Sequence, residues 1–133
     1  PNQSKVIDFG CGDGTLLKIL AEKKSVTSYG VEIDKEKINA CIANGVSVIQ
    51  QDIDAGIQNY KGMGFDVAIM ASSIQCLRRP RNAMQNILQV ANECVITLPN
   101  FGNWELRLGI LNGKTINIFR ISKTLKVFKI CIN

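Results

Sequence analysis

The chain contains no histidine. That absence removes the commonest general base near neutral pH and the commonest metal ligand, so a zinc site or a serine–histidine triad built by this chain alone is not expected. Its five cysteines, at positions 11, 41, 76, 94 and 131, include no Cys-x-x-Cys pair, and an odd number argues against a closed disulfide framework. They read as reduced thiols that fill core and turns. No apolar run comes near the roughly 20 residues a membrane helix needs. Pro1-Asn2-Gln3-Ser4 has no basic-then-apolar signal segment and no initiating Met, which reads as a piece of a longer, cytoplasmic product.

Acidic residues are missing from one region only. From Lys114 onward the chain carries Lys114, Arg120, Lys123, Lys126 and Lys129 and no Asp or Glu, so all of the formal charge of +5 lies in that tail. The body before it is neutral, with 11 acidic residues and an equal number of basic ones. A nucleic-acid surface places its excess charge on the folded body, so nucleic-acid binding is not expected. With 133 residues, 46% of them apolar and 20% charged, the chain is an ordinary globular domain, short for an α/β enzyme.

What is present is an alternation of strand and helix signals. A buried strand over 5–9 enters a glycine turn and a helix over 15–23, with Leu16, Leu17, Ile19 and Leu20 as its apolar face. A second strand over 26–31 closes on Glu32. Asp34 then caps a helix over 35–43 that Asn44-Gly45 ends. Strands follow over 46–49 and 65–71, separated by a polar stretch over 55–64. Pro80 opens a helix running to about residue 91, a fifth strand covers 94–98, and 104–111 is a short helix candidate. This order predicts right-handed crossovers and a doubly wound parallel sheet. The last stretch differs. Ile116/Ile118 and Leu125/Val127 alternate like an edge strand, while lysines at every third residue suit a short helix equally well.

The chemistry concentrates at Asp8-Phe9-Gly10-Cys11-Gly12-Asp13-Gly14, where a strand ends in an acid, turns through alternating glycines and opens a helix. Dinucleotide loops need Gly-x-Gly-x-x-Gly, but Thr15 stands where their third glycine would be. The Gly-x-Gly-x-Gly spacing instead resembles the cofactor loop of class I methyltransferases, which bind S-adenosylmethionine (SAM). On that resemblance the loop residues Gly10, Cys11, Gly12, Asp13 and Gly14 approach the cofactor, their amides and the helix end favouring its carboxylate. Asp8 would meet the α-ammonium. Glu32, followed by Ile33, would accept both ribose hydroxyls. Asp52 would accept the adenine amino group, with Ile53 against the ring, and Ala71, Ser72 and Ser73 would line the reactive methyl. No catalytic residue is singled out.

Taken singly, these residues have ordinary readings: a glycine connector, a helix-capping Glu32, a turn-forming Asp52. The conjunction carries the weight, because three acids fall at three successive strand ends, on the edge where α/β sheets bind ligands. Arg78, Arg79 and Arg81 beside Pro80 are either a solvated helix start or a docking surface. Trp104 with Phe101 is either core or a partner anchor. Asn100 follows the fifth strand, not the fourth where amino-methyltransferases carry their motif, and reads as a turn or a pocket lip.

Beyond the glycine loop, Tyr29-Gly30-Val31-Glu32-Ile33-Asp34, the segment from Gly45 to Asp54, Gln75-Cys76-Leu77-Arg78-Arg79-Pro80 and Leu98-Pro99-Asn100-Phe101-Gly102-Asn103-Trp104 resemble the MetW family of methionine biosynthesis over roughly residues 4–114. The resemblance implies a Rossmann-like, class I SAM-dependent methyltransferase fold over residues 1–113. It also implies SAM as cofactor and homoserine O-acetyltransferase as partner, supported or regulated by this chain. A catalytically inactive interaction module and a small-molecule methyltransferase of unknown acceptor are the alternatives. Residues 114–133 depart from the family pattern, as a frameshift or truncated reading near 114–125 would produce. The sheet is then expected to lack its usual last strands.

Overall fold

A computed structural model of the chain describes residues 3–71, 73–99 and 125–131. It contains β1 (Lys5–Phe9), α1 (Thr15–Lys24), β2 (Thr27–Glu32), α2 (Lys35–Ala43), β3 (Ser47–Gln50), β4 (Phe65–Ala71), α3 (Pro80–Ile87), β5 (Ala91–Pro99) and β6 (Leu125–Cys131). The strands form one sheet in the order β3-β2-β1-β4-β5-β6. The first five are parallel, and β6 runs antiparallel to β5 along the edge. The tail therefore supplies an edge strand over Leu125–Cys131, not a helix there. The candidate helix over 104–111 lies outside the described residues.

Alternation along the strands explains the two cores. On β1, Ile7 and Phe9 face one side and Val6 the other; on β4, Ala68 and Met70 oppose Ile69. The Phe9 side packs under α3 through Ala83 and Ile87, with Tyr60 closing it edge-on to Phe9 at 5.5 Å. The opposite side packs under α1 and α2 through Leu17, Cys41 and Val46. Both faces of a parallel sheet are thus covered, as its burial demands.

Several boundaries differ from the sequence expectation. On α1 only Leu17 is fully buried and Leu20 packs at the margin, while Leu16 and Ile19 are exposed. One helix on one face of the sheet needs a narrower stripe than four apolar residues can fill. The helix expected to reach residue 91 stops at Ile87. The Leu88, Gln89 and Val90 amides that follow turn back on Met84, Asn86 and Ile87, and Ala91 already pairs with Phe65 as β5. Cooperative pairing along β4 outweighs the helical propensity of Leu88 to Ala91. The strands β2 and β3 each begin one residue later than the pattern indicates, so Glu32 is the last residue of β2. No helix among the described residues is long and apolar enough to cross a membrane.

Candidate functional site

The strand order reverses between β1 and β4, with β2 and β3 on one side and β4 and β5 on the other. At such a switch point the loops at the carboxyl ends diverge and leave a crevice. The loop from Gly10 to Gly14 forms one wall. Gly10 N and Cys11 N donate to Val31 O at 2.8 and 3.1 Å, which ties the loop across to β2. Gly14 N donates to Cys11 O at 3.1 Å, Gly12 N to Glu32 Oε2 at 2.9 Å, and Thr15 N to Asp13 Oδ1 at 3.0 Å. That last bond holds the exposed Asp13 carboxyl below its usual range. Of the loop amides that the sequence offered to a ligand carboxylate, those of Gly10, Cys11, Gly12 and Gly14 are therefore already paired inside the protein. The loop contributes shape more than free donors.

Two glycines make that shape. At Gly10, where φ is +79°, an added Cβ would lie 2.6 Å from Ser73 Cβ, so the loop can pass the end of β4 only without a side chain. At Gly12, φ is +61° and an added Cβ would meet nothing within 4 Å. A side chain at Gly12 would thus project into open space, and only the positive φ favours glycine there.

Asp8 and Glu32 supply the charge. Asp8 is one residue short of the end of β1 and only 2% exposed, and its Oδ1 has no hydrogen-bond partner. Burial pushes its carboxyl up to about 7, and the negative charge of Glu32 adds to the shift. An unpartnered buried carboxylate oxygen is costly, and it fits a site built to receive a cation. Glu32 is 6% exposed, so it is not a surface helix cap. One of its oxygens takes Gly12 N, and the other takes Ile33 N at 2.9 Å and Asp34 N at 3.1 Å. Its carboxylate fastens the glycine loop to the end of β2.

The third acid follows β3. Asp52 Oδ1 accepts Asp54 N at 2.9 Å and caps a short 3-10 turn over Ile53–Ala55. Ile53 packs against the α3-side core, and Ile33 stands 57% exposed beside Glu32. Ser73 donates its hydroxyl to Phe9 O at 2.8 Å, bridging the ends of β4 and β1. Cys11 turns its thiol inward to within 3.7 Å of the Cys41 sulfur, and Cys41 donates to Gly12 O at 3.0 Å. Burial and the neighbouring Cys41 push the Cys11 thiol up, so this pair buttresses the loop as neutral thiols and only the Cys11 backbone reaches the crevice wall. Ser72, Asn100, Phe101 and Trp104 lie outside the described residues.

Sequence reasoning missed Asp54. Its carboxylate accepts Arg78 N at 3.0 Å and Arg79 N at 3.2 Å, joining the loop after β3 to the segment before α3. The available signal was the Asp-x-Asp spacing at 52 and 54 opposite the Arg-Arg-Pro run, which only the fold brings together.

The model of the methionine biosynthesis protein MetW matches residues 1–121. The chain belongs to the MetW family. The match extends past residue 114, where the resemblance of individual motifs ends. A bifunctional methionine biosynthesis protein MetXA/MetW of Rhodopirellula baltica is 28% identical over 115 residues, which cover 80% of this chain and 18% of that protein. This MetW chain thus spans under a fifth of the curated relative's length. Among solved structures, a SAM-dependent methyltransferase of Thermotoga maritima aligns over 95% of this chain and 57% of its own, at a TM-score of 0.69 and 16% identity. A TehB-like SAM-dependent methyltransferase of Corynebacterium glutamicum aligns over 78% and 59%, at 0.67 and 20%. The MetW fold here is therefore the class I SAM-dependent methyltransferase fold.

Proposed function

We propose that this chain binds SAM at the β1–β4 crevice and acts in methionine biosynthesis by supporting or regulating homoserine O-acetyltransferase. The observation that carries the cofactor reading is the buried, unpartnered Asp8 Oδ1 beside the charge of Glu32. In this reading Asp8 receives the α-ammonium, Glu32 the ribose hydroxyls and Asp52 the adenine amino group. Ile33 and Ile53 offer apolar surface to the ring. When bound, SAM supplies an electrophilic methyl group. Methyl transfers that need only proximity and in-line geometry stay compatible with the site.

Calorimetric titration with SAM and S-adenosylhomocysteine tests the cofactor reading. Saturable binding of one ligand per chain is expected, and a folded chain that binds neither rejects it. The partner reading draws on the fused MetXA/MetW relative, in which the two names share one polypeptide. Arg78, Arg79 and Arg81 form an exposed basic run at the start of α3, suited to an acidic face of that partner. Separately expressed homoserine O-acetyltransferase is expected to be retained by this chain in co-purification. Reversing the three arginine charges should abolish that retention, and unaltered retention would reject the arginine surface.

A further inference from the structure

The guanidinium of Arg78 stands between two carboxylates at the adenine end of the crevice. On one side Asp54, whose side chain is only 10% exposed, accepts Arg78 N at 3.0 Å, Arg79 N at 3.2 Å and Arg78 Nε at 3.5 Å. These bonds, the Arg78 amide foremost, hold the Asp54 carboxyl below the usual carboxylate range. On the other side Arg78 Nη2 lies 3.4 Å from Asp52 Oδ2. Asp52 Oδ1 takes Asp54 N, whereas Oδ2 takes no backbone N–H, and Arg78 stands on Oδ2.

We propose that Arg78, held by Asp54, sets both the affinity and the base selectivity of the adenine end by competing with the purine amino group for Asp52 Oδ2. This inference rests on the SAM-binding reading. The contest is even enough to matter. The Arg78 side chain is 79% exposed and its two contacts are long, so the ion pair holds Asp52 weakly and can yield to a ligand. Asp54 acts through Arg78: its carboxylate accepts the Arg78 and Arg79 backbone amides, which fixes where the arginine begins, and its charge draws Nε inward. Arg78 also changes what Asp52 can accept. A bare carboxylate takes an amino group and repels a carbonyl, whereas a carboxylate shared with a guanidinium presents a donor as well. A purine with an oxygen at position 6 is therefore penalised less while Arg78 is in place.

The test is calorimetry of the full chain with S-adenosylhomocysteine and its 6-oxo analogue S-inosylhomocysteine. Wild type is compared with Arg78→Met, which keeps much of the apolar stem, and Asp54→Asn. Arg78→Met is expected to bind the adenosyl ligand about threefold tighter, within what an exposed ion pair can withhold. It should bind the inosyl ligand more weakly, so the adenosyl-to-inosyl ratio rises severalfold. Asp54→Asn should shift the ratio in the same direction by a smaller factor. A wild type that binds with both ratios unchanged in the variants overturns this inference and leaves the SAM reading intact. No binding by wild type or either variant rejects the SAM reading and this inference with it. Binding by Arg78→Met where wild type binds too weakly to measure would support both.

Discussion

Replacing Asp8 with asparagine is expected to make the ligand-free protein more stable at neutral pH while nearly abolishing cofactor binding. Asp8 is 2% exposed with an unpartnered Oδ1, and burial followed by the charge of Glu32 raises its carboxyl from 3.8 to about 7. In the unfolded chain the same group ionises near pH 4. Below that pH it is protonated in both states and the folded state keeps its full stability. As pH rises toward 7 the unfolded chain releases the proton while the folded one retains it, so stability falls, and the loss is complete once the folded Asp8 ionises. A shift of this size corresponds to about 4 kcal/mol. Asparagine cannot ionise but still buries a polar group, so about 1–3 kcal/mol of that should be recovered. Urea midpoints should show Asp8→Asn and wild type converging near pH 4 and separating up to about pH 7. Binding should move the opposite way. A ligand ammonium needs the ionised carboxylate, so wild-type affinity for S-adenosylhomocysteine should rise with pH through about 7. In Asp8→Asn it should be flat and weaker by about 3 kcal/mol, the scale for removing one side of a buried charge pair. A variant less stable than wild type at pH 8 would mean that the folded state gains from the ionised carboxylate.

Much of this frame is legible in the residues because local and global preferences agree there. The helix α2 keeps the limits read from sequence, since Asp34 caps it through Glu36 N and Lys37 N and Gly45, at φ +73°, ends it. The strand β4 likewise matches, as an apolar run with turn formers before it. Legibility fails where pairing partners decide. Nothing local to Leu88-Gln89-Val90-Ala91 reveals that Phe65 will draw Ala91 into β5. At the site, spacing located the acids but not their bonding. Glu32 falls at a strand tip, yet its ties to Gly12, Ile33 and Asp34 depend on the loop folding back over β2. The same folding consumes the loop amides that a glycine pattern alone would offer to an anion. Asp54 and Arg78 are 24 residues apart and meet only because β3 and β4 deliver their loops to the same edge.

Those ties make Glu32 a fastener of the loop, beside the ribose role proposed for it, and substitution can separate the two. Glu32→Ala removes the acceptor of three backbone N–H groups, at Gly12, Ile33 and Asp34. Hydrogen bonds to a charged acceptor are worth about 1.5–3 kcal/mol each, but water entering the vacated space satisfies part of the demand, so a stability loss of about 2–4 kcal/mol is expected. The loss is tempered because Glu32 also raises the carboxyl of Asp8, and its removal eases that buried charge. Glu32→Ala and Asp8→Asn should therefore be non-additive in a double-mutant cycle. On the binding side, the proposed role of Glu32 as ribose acceptor predicts that Glu32→Ala weakens S-adenosylhomocysteine by about 1–3 kcal/mol. Glu32→Gln distinguishes the two duties. Its carbonyl oxygen can still take Ile33 N and Asp34 N, while its amide nitrogen faces Gly12 N, donor against donor. Most of the stability should survive, and the ribose hydroxyls should lose their acceptor along with Gly12. If Glu32→Gln binds as wild type does, Glu32 serves only to fasten the loop, and the ribose must find its acceptor elsewhere on the crevice wall.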